Sequence, residues 1–164
     1  WAISSATETA IEIPEENDYL KNLSWIIGDW TTTRDGGTVR MSAKWIADKN
    51  FIQCKYDIEK TDNKKVVEAQ LIGWDPLRNA PISWHFDATG GYGRGLWEER
   101  DNKWNVQLVG VSRDGSTTGG TNVISNISKD SFEWQAINRT VNGEPARDSV
   151  VLKVERVGNS SSTN

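Results

Sequence analysis

Apolar and polar residues alternate along most of the chain, and this period of two predicts β-strands. In residues 38–45, for example, Val39, Met41, Ala43 and Trp45 alternate with polar neighbours. Turn-forming residues recur about every ten to fifteen positions between such segments. Further strands are predicted from Gly28 onward and at residues 51–60, 66–74, 82–87, 94–100, 104–112, 121–128, 132–141 and 149–157.

Helical spacing of apolar residues is confined to one stretch near the start. It predicts a short helix at roughly residues 16–27, with acidic residues at its beginning and Gly28 at its end. Residues 1–14 carry no sustained periodicity and are interpreted as a leader or linker. The pattern therefore predicts a β-barrel domain at residues 15–157 and a flexible low-complexity tail at 158–164.

About ten short strands joined by short turns favour pairing between sequence neighbours in an antiparallel up-and-down arrangement. Closing such a sheet into a barrel removes its two exposed edges. We therefore predict an all-β fold, an up-and-down β-barrel of about ten strands with one short N-terminal helix. A β-sandwich is the competing architecture, but no long Greek-key connection is evident. A barrel of eight to ten strands has room for one small ligand.

Composition excludes several classes of partner and cofactor. The chain has 164 residues and a net charge of −4 without a basic patch, which argues against nucleic acid. No apolar run approaches the roughly 20 residues of a membrane span. Cys54 is the single cysteine, so an internal disulfide and a cysteine cluster for zinc are impossible, which fits a reducing compartment. No metal and no cofactor is predicted, and the compartment stays open.

The stretch SWHFDATGGYGRGLW at residues 83–97 holds four glycines and the single histidine. It lacks the Gly-Lys-Ser/Thr ending of a phosphate-binding loop and the G-x-G-x-x-G nucleotide fingerprint. We interpret it as a hairpin turn at Gly90 followed by a strand in which Gly93 and Gly95 share a face with Trp97. Glycines within a strand indicate either a bend or a close approach by a ring or a ligand.

His85 alternates with Trp84 and Phe86 in the predicted strand. If those aromatic residues point into the barrel, His85 points out, and catalysis by His85 would require the opposite register. The chain contains no G-x-S-x-G, no HExxH and no supported cysteine–histidine pair, so no catalytic residue is predicted. The nine tryptophans are typical either of core packing or of an aromatic-lined cavity.

Two tracts, LSWIIGDW and LIGWDPLRNAPISWHFDATGGYGRGLW, resemble the β-barrel domain of uncharacterised bacterial proteins in which it often follows a SnoaL-like domain. The resemblance covers most of residues 20–157. It implies a fold rather than an activity, and it implies that residues 1–14 are a linker from an upstream SnoaL-like domain. A homo-oligomer is the other expected association.

More widely, Gly28-Asp29-Trp30 resembles the G-x-W element of the calycins, which include lipocalins, fatty-acid-binding proteins and nitrobindins. The resemblance implies that Trp30 packs at the closed base of the barrel against a late arginine, Arg156 or alternatively Arg139. Nitrobindins hold haem through a late histidine. This chain has none, which argues against haem.

The leading hypothesis is a calycin-like barrel that binds a small apolar or amphipathic molecule in its interior. An enzyme with isomerase- or cyclase-like chemistry in the cavity is one alternative, which an inward His85, Asp87 or Arg94 would support. A non-catalytic accessory domain is the other, which a filled barrel would support. The predicted ligand-binding residues are Trp84, Phe86, Gly95, Trp97 and Trp134 as walls, with Gln70 and Arg139 as polar groups.

Overall fold

A computed structural model describes residues 18–158, and all of its strands belong to one antiparallel sheet. The predicted leader at 1–14, the first residues of the predicted helix and the tail from 159 onward lie outside the described residues. The strands are β1 (Gly28–Arg34), β2 (Gly37–Ile46), β3 (Phe51–Glu59), β4 (Lys65–Asp75), β5 (Ala80–Phe86), β6 (Tyr92–Arg100), β7 (Lys103–Val111), β8 (Thr117–Ser125), β9 (Ser131–Val141), β10 (Glu144–Pro145) and β11 (Leu152–Arg156).

The sheet closes on itself. Each strand from β1 to β8 pairs with the next one in sequence, β8 pairs with β9, and β11 joins β9 back to β1. Ten strands therefore form the ring, while the two-residue β10 pairs only with β9. The prediction of an all-β, up-and-down barrel of about ten strands is confirmed.

Tight turns join the strands as their sequences dictate. Asp101 and Asn102 form the two-residue loop between β6 and β7, with φ angles of 53° and 58°. Positive φ at both positions is the requirement of the turn that matches the twist of a hairpin, and Asp and Asn tolerate it better than other side chains. Asn142 and Gly143, after β9, repeat the arrangement.

The N-terminal helix is shorter and tighter than predicted. It is a 3₁₀ helix at Lys21–Ile26, without a side-chain cap, and it buries Leu23 and Ile26 in the core. Because β1 begins two residues later, the helix lies against the end of the barrel where β1 starts. We call this end the base, and the opposite end, where β1 finishes, the mouth. No helix of residues 18–158 has the length and apolar character needed to cross a membrane.

Trp30 and Arg156 close the base together. Trp30 is fully buried, its indole Nε1–H donates to the carbonyl of Ile26 at 2.7 Å, and the Arg156 guanidinium lies 4.0 Å from its ring centre. Arg156 also donates to the backbone carbonyls of Trp25, Ile27 and Lys129 at 3.0, 2.8 and 2.7 Å. The predicted packing of Trp30 against Arg156 is confirmed.

The glycine-rich stretch forms the hairpin between β5 and β6. Asp87 Oδ1 accepts hydrogen bonds from the backbone and hydroxyl of Thr89, both at 2.7 Å, and from the backbone N–H of Gly91 at 3.0 Å. Gly90 has a φ of 97°, which the turn needs and which a side chain would oppose. The predicted turn at Gly90 is confirmed.

Replacing Asp87 with asparagine is expected to destabilise this hairpin at neutral pH. The bonds from Thr89 and from the backbone lower the pKa of Asp87, so ionised Asp87 stabilises the folded state above the ordinary carboxyl pKa. That contribution is lost as pH falls through the lowered pKa. Because Asp87 is only partly buried, we expect a loss of at most about 1 kcal/mol. Urea unfolding of both proteins at neutral and at strongly acidic pH should show the difference shrinking in acid, and a pH-independent difference would contradict it.

Candidate functional site

The barrel encloses a cavity of about 490 Å³. The 3₁₀ helix and all ten strands of the ring contribute residues to its wall. This volume lies within the range of about 300–1,000 Å³ that is typical of small-molecule sites. Side chains therefore do not fill the interior. A filled interior was the condition expected to favour a non-catalytic accessory domain.

The base of the cavity is aromatic and apolar. Phe132 packs edge-on against Trp25 and Trp30, with ring centres 5.2 and 5.0 Å apart. The indole Nε1 of Trp25 is buried and has no hydrogen-bond partner among the described residues, so one donor at the base lacks a protein acceptor. Other apolar residues that line this part of the cavity are Met41, Trp97, Val106, Ile124 and Val154.

The mouth of the cavity holds its charged groups, beside apolar residues such as Ile58 and Leu152. Residues at the mouth ends of five strands line it, namely Arg34, Glu68, His85, Thr118 and Arg139. Arg34 lies 5.9 Å from the ring centre of Trp134, and Arg139 donates to the backbone carbonyl of Arg147 at 2.7 Å. The cavity is therefore amphipathic, with its charged groups at the mouth and an apolar base.

A hydrogen-bonded group lies in the wall between mouth and base. The hydroxyl of Tyr56 donates to Oε1 of Gln70 at 2.7 Å. Burial, as the main cause, raises the pKa of Tyr56 well above its ordinary value, so the phenol remains a neutral donor. Burial also raises the pKa of the neighbouring Cys54 thiol to about 12, which makes it unreactive at neutral pH.

His85 forms the second polar pair of the wall. Its Nε2 lies 3.2 Å from Oε2 of Glu68, and the two side chains are 36% and 25% exposed. The ring centre of Tyr56 is 6.1 Å from that of His85. Tyr56, Glu68 with Gln70, and His85 belong to three adjacent strands, so β3, β4 and β5 present one continuous polar patch to the cavity.

Four of the seven predicted binding residues line the cavity: Gln70, Trp97, Trp134 and Arg139. Trp97 is almost fully buried, and its indole N–H donates to the hydroxyl of the buried Ser83 at 2.9 Å. Their part in binding a ligand stays a prediction.

The expected placement of Trp84 and Phe86 in the cavity wall is wrong. Both belong to the outer face of β5, where Phe86 is 52% exposed and the Trp84 ring lies beside Gly73 on the neighbouring strand. His85 consequently faces inward, the register that the enzyme alternative required. Arg94 is exposed and alternates with the inward Gly95, and Asp87 is engaged in the turn.

Gly95 faces the barrel interior but is not part of the cavity wall, so its prediction as a ligand-binding position is not supported by the geometry. A Cβ at this position would lie 2.7 Å from Ser83 Oγ and Val106 Cγ1 and 3.0 Å from Leu108 Cδ2. Neighbouring side chains of the core, rather than empty space, occupy the room that this glycine leaves.

Arg139 reaches the cavity because of an irregularity in β9. Asn138 has a φ of 51°, and the register between β8 and β9 shifts near Gly120. Such a bulge changes which side chains point inward. As a result, Arg139 lines the cavity together with the even-numbered Trp134 and Ala136.

Sequence reasoning missed Arg34, Tyr56 and Glu68 as cavity residues. Glu68 lies two positions from Gln70 on one strand, so the assignment of Gln70 to the interior already implied an inward Glu68. Alternation along β3 places Tyr56 on the same face as the apolar Ile52 and Cys54. Arg34 lies four positions from Trp30 on β1, so the inward placement of Trp30 also implied an inward Arg34.

Comparison of the chain with protein-family models finds no match. Comparison with curated proteins finds none either. Among residues 18–158, no group of three or more His, Cys, Asp and Glu side chains is arranged to hold a metal ion.

Proposed function

We propose that this barrel binds a small amphipathic molecule, with the apolar part of the ligand at the base and its polar part at the mouth. The observation that carries the proposal is the cavity of about 490 Å³, which has aromatic walls at one end and hydrogen-bonding groups at the other. Cavities of this size with few polar groups are the usual form of small-molecule sites.

We further propose that the chain is related to the calycin-like barrels, and to the barrel domains that follow SnoaL-like domains. The ten-stranded closure and the packing of Arg156 on Trp30 support the first relationship. Neither relationship identifies a ligand, so the ligand class is argued from the cavity itself.

Binding is tested by filling the cavity with a side chain. Ala136 lines the cavity, so Ala136→Phe should weaken binding of the fluorescent dye anilinonaphthalene sulfonate by at least about tenfold, or roughly 1.4 kcal/mol. Ala69 is exposed and lies on the outer face of β4, between the inward Glu68 and Gln70. Ala69→Phe is therefore the matched control and should leave dye affinity unchanged.

Dye fluorescence titration and an unfolding curve are measured for both variants and for the parent protein. A folded parent protein that binds no dye and no apolar ligand overturns the proposal. Equal weakening in Ala136→Phe and Ala69→Phe also overturns it, because binding would then lie outside the cavity. Weakening in Ala136→Phe only, with both variants folded, supports it.

A further inference from the structure

We propose that His85 is a general base that moves a proton within a carbonyl compound bound in the cavity, with Gln70 holding the carbonyl oxygen. The proposal rests on the proposed function, because the substrate occupies the same cavity. It adds the substrate class to that function: an apolar β,γ-unsaturated ketone, in which one carbon separates the carbonyl group from the carbon–carbon double bond.

The position of His85 leaves its imidazole available to a ligand. On one side Gln70 of β4 is its register partner, and on the other side the partner is Gly93 of β6, which has no side chain. The His85 side chain is 36% exposed and lines the cavity.

Glu68 gives His85 the orientation that a base needs. A carboxylate only accepts hydrogen bonds, so the contact at 3.2 Å places the imidazole proton on Nε2. Nδ1 then carries the free electron pair, and the contact with Glu68 is the one hydrogen bond of the imidazole within residues 18–158. A carboxylate behind a histidine also stabilises the imidazolium that forms when the ring takes up a proton.

Gln70 is oriented in a complementary way. Its Oε1 is occupied by the hydroxyl of Tyr56, so its Nε2 amide protons remain as donors on a side chain that lines the cavity. Register partners on antiparallel strands have Cβ atoms about 4.5–5.5 Å apart, so one small functional group can contact both Gln70 and His85. The wall therefore places a proton acceptor beside a donor for developing negative charge.

The reaction that needs only these two groups is a proton shift. Nδ1 of His85 takes a proton from the carbon between the carbonyl and the double bond, and the C–H electron pair forms the dienolate. The negative oxygen accepts hydrogen bonds from Gln70 Nε2. The imidazolium then returns the proton to the far carbon of the original double bond, which gives the conjugated ketone. No electron is gained or lost, and no co-reactant is consumed.

The experiment uses the full chain and a panel of β,γ-unsaturated cyclic ketones. Displacement of anilinonaphthalene sulfonate first identifies the ketones that bind. For these, conversion to the conjugated ketone is followed by ultraviolet absorbance, and exchange of the acidic carbon-bound protons in heavy water is followed by NMR. Isomerisation and exchange faster than in buffer are expected for the parent protein.

Three variants assign the roles. His85→Gln should reduce kcat for isomerisation, measured at saturating ketone, by about 100-fold or more, the usual contribution of a general base, while the free energy of unfolding remains close to that of the parent. Gln70→Leu should reduce kcat more than it raises KM. Glu68→Gln should reduce the rate, whereas Glu98→Gln, an exposed glutamate on β6, is the matched control and should not.

The outcomes separate this proposal from the proposed function. Ketones that displace the dye but exchange no faster than in buffer overturn the proton-transfer proposal and leave the binding function standing. The same conclusion follows if His85→Gln retains the parent rate, or if no ketone of the panel displaces a dye that does bind. Failure of the dye and of every apolar ligand to bind overturns the binding function itself.

Discussion

Replacing Arg156 with methionine is expected to lower the free energy of unfolding by about 3 kcal/mol. Several charge-assisted hydrogen bonds, of about 1.5–3 kcal/mol each, are lost together, and hydrogen bonds from water to the freed carbonyls compensate for part of the loss. The guanidinium donates to the carbonyls of Trp25, Ile27 and Lys129 and covers the face of Trp30. These contacts join the end of β11 to the 3₁₀ helix, to the residue before β1 and to the turn before β9. Methionine keeps the apolar contact with Trp30 but leaves all three carbonyls without this donor.

Two comparisons isolate the cause of the loss. Arg94 is exposed and has no ion pair or hydrogen bond through its side chain in the described part of the chain, so Arg94→Met should change stability by no more than about 0.5 kcal/mol. Arg156→Lys keeps the charge, but a lysine cannot reach three carbonyls at once. The free energy of unfolding of Arg156→Lys should therefore be close to that of Arg156→Met. Urea unfolding measures all three, and an Arg156→Met protein as stable as Arg94→Met would contradict the assigned role.

The architecture could be predicted from the chain because β-structure with short turns leaves few arrangements. Alternation such as that in residues 38–45 and turn residues such as Asp101 and Asn102 determine where strands begin and end. Ten strands without long connections form one sheet, and closing that sheet into a barrel is the simple way to remove its two exposed edges. The packing of Arg156 on Trp30 was expected from a short motif, because it depends on only two positions at the two ends of the domain.

The inward face of β5 was assigned incorrectly for a physical reason. Alternation tells which residues share a face but not which face is inside, and the assignment relied on Trp84 and Phe86 being more apolar than Ser83 and His85. The structure buries Ser83 against Trp97 and leaves Phe86 about half exposed. A barrel with an amphipathic cavity accepts polar residues inside, so hydrophobicity is a poor guide to direction in the strands that form its polar patch.

The bulge that brings Arg139 into the cavity could not be predicted either. Strict alternation from Trp134 and Ala136 directs Asn138, rather than Arg139, to the interior. The left-handed backbone at Asn138 reverses this order. The local sequence permits such a conformation, because asparagine tolerates positive φ, but only pairing with the irregular β8 requires it.

Gly95→Val is expected to destabilise the protein by about 3 kcal/mol, the upper end of the usual range for overpacking a core. The reason is the lack of space beside Ser83, Val106 and Leu108, since even a Cβ would come within 2.7–3.0 Å of their side chains. Backbone strain is not the cause, because Gly95 lies in regular β6 and is absent from the glycines with positive φ. Gly95→Ala should show a smaller loss of the same kind.

A double variant tests this explanation directly. If the added valine collides with Leu108, then shortening that residue should relieve part of the strain, so Leu108→Ala should cost less in the Gly95→Val background than in the parent protein. A favourable coupling energy of about 1 kcal/mol is expected from urea unfolding of the four proteins. Affinity for anilinonaphthalene sulfonate per folded molecule should change by less than about threefold in Gly95→Val, or roughly 0.7 kcal/mol, since Gly95 does not line the cavity. Additive losses would contradict the collision with Leu108. A large loss of dye affinity in a stable Gly95→Val protein would show that Gly95 instead makes room for the ligand.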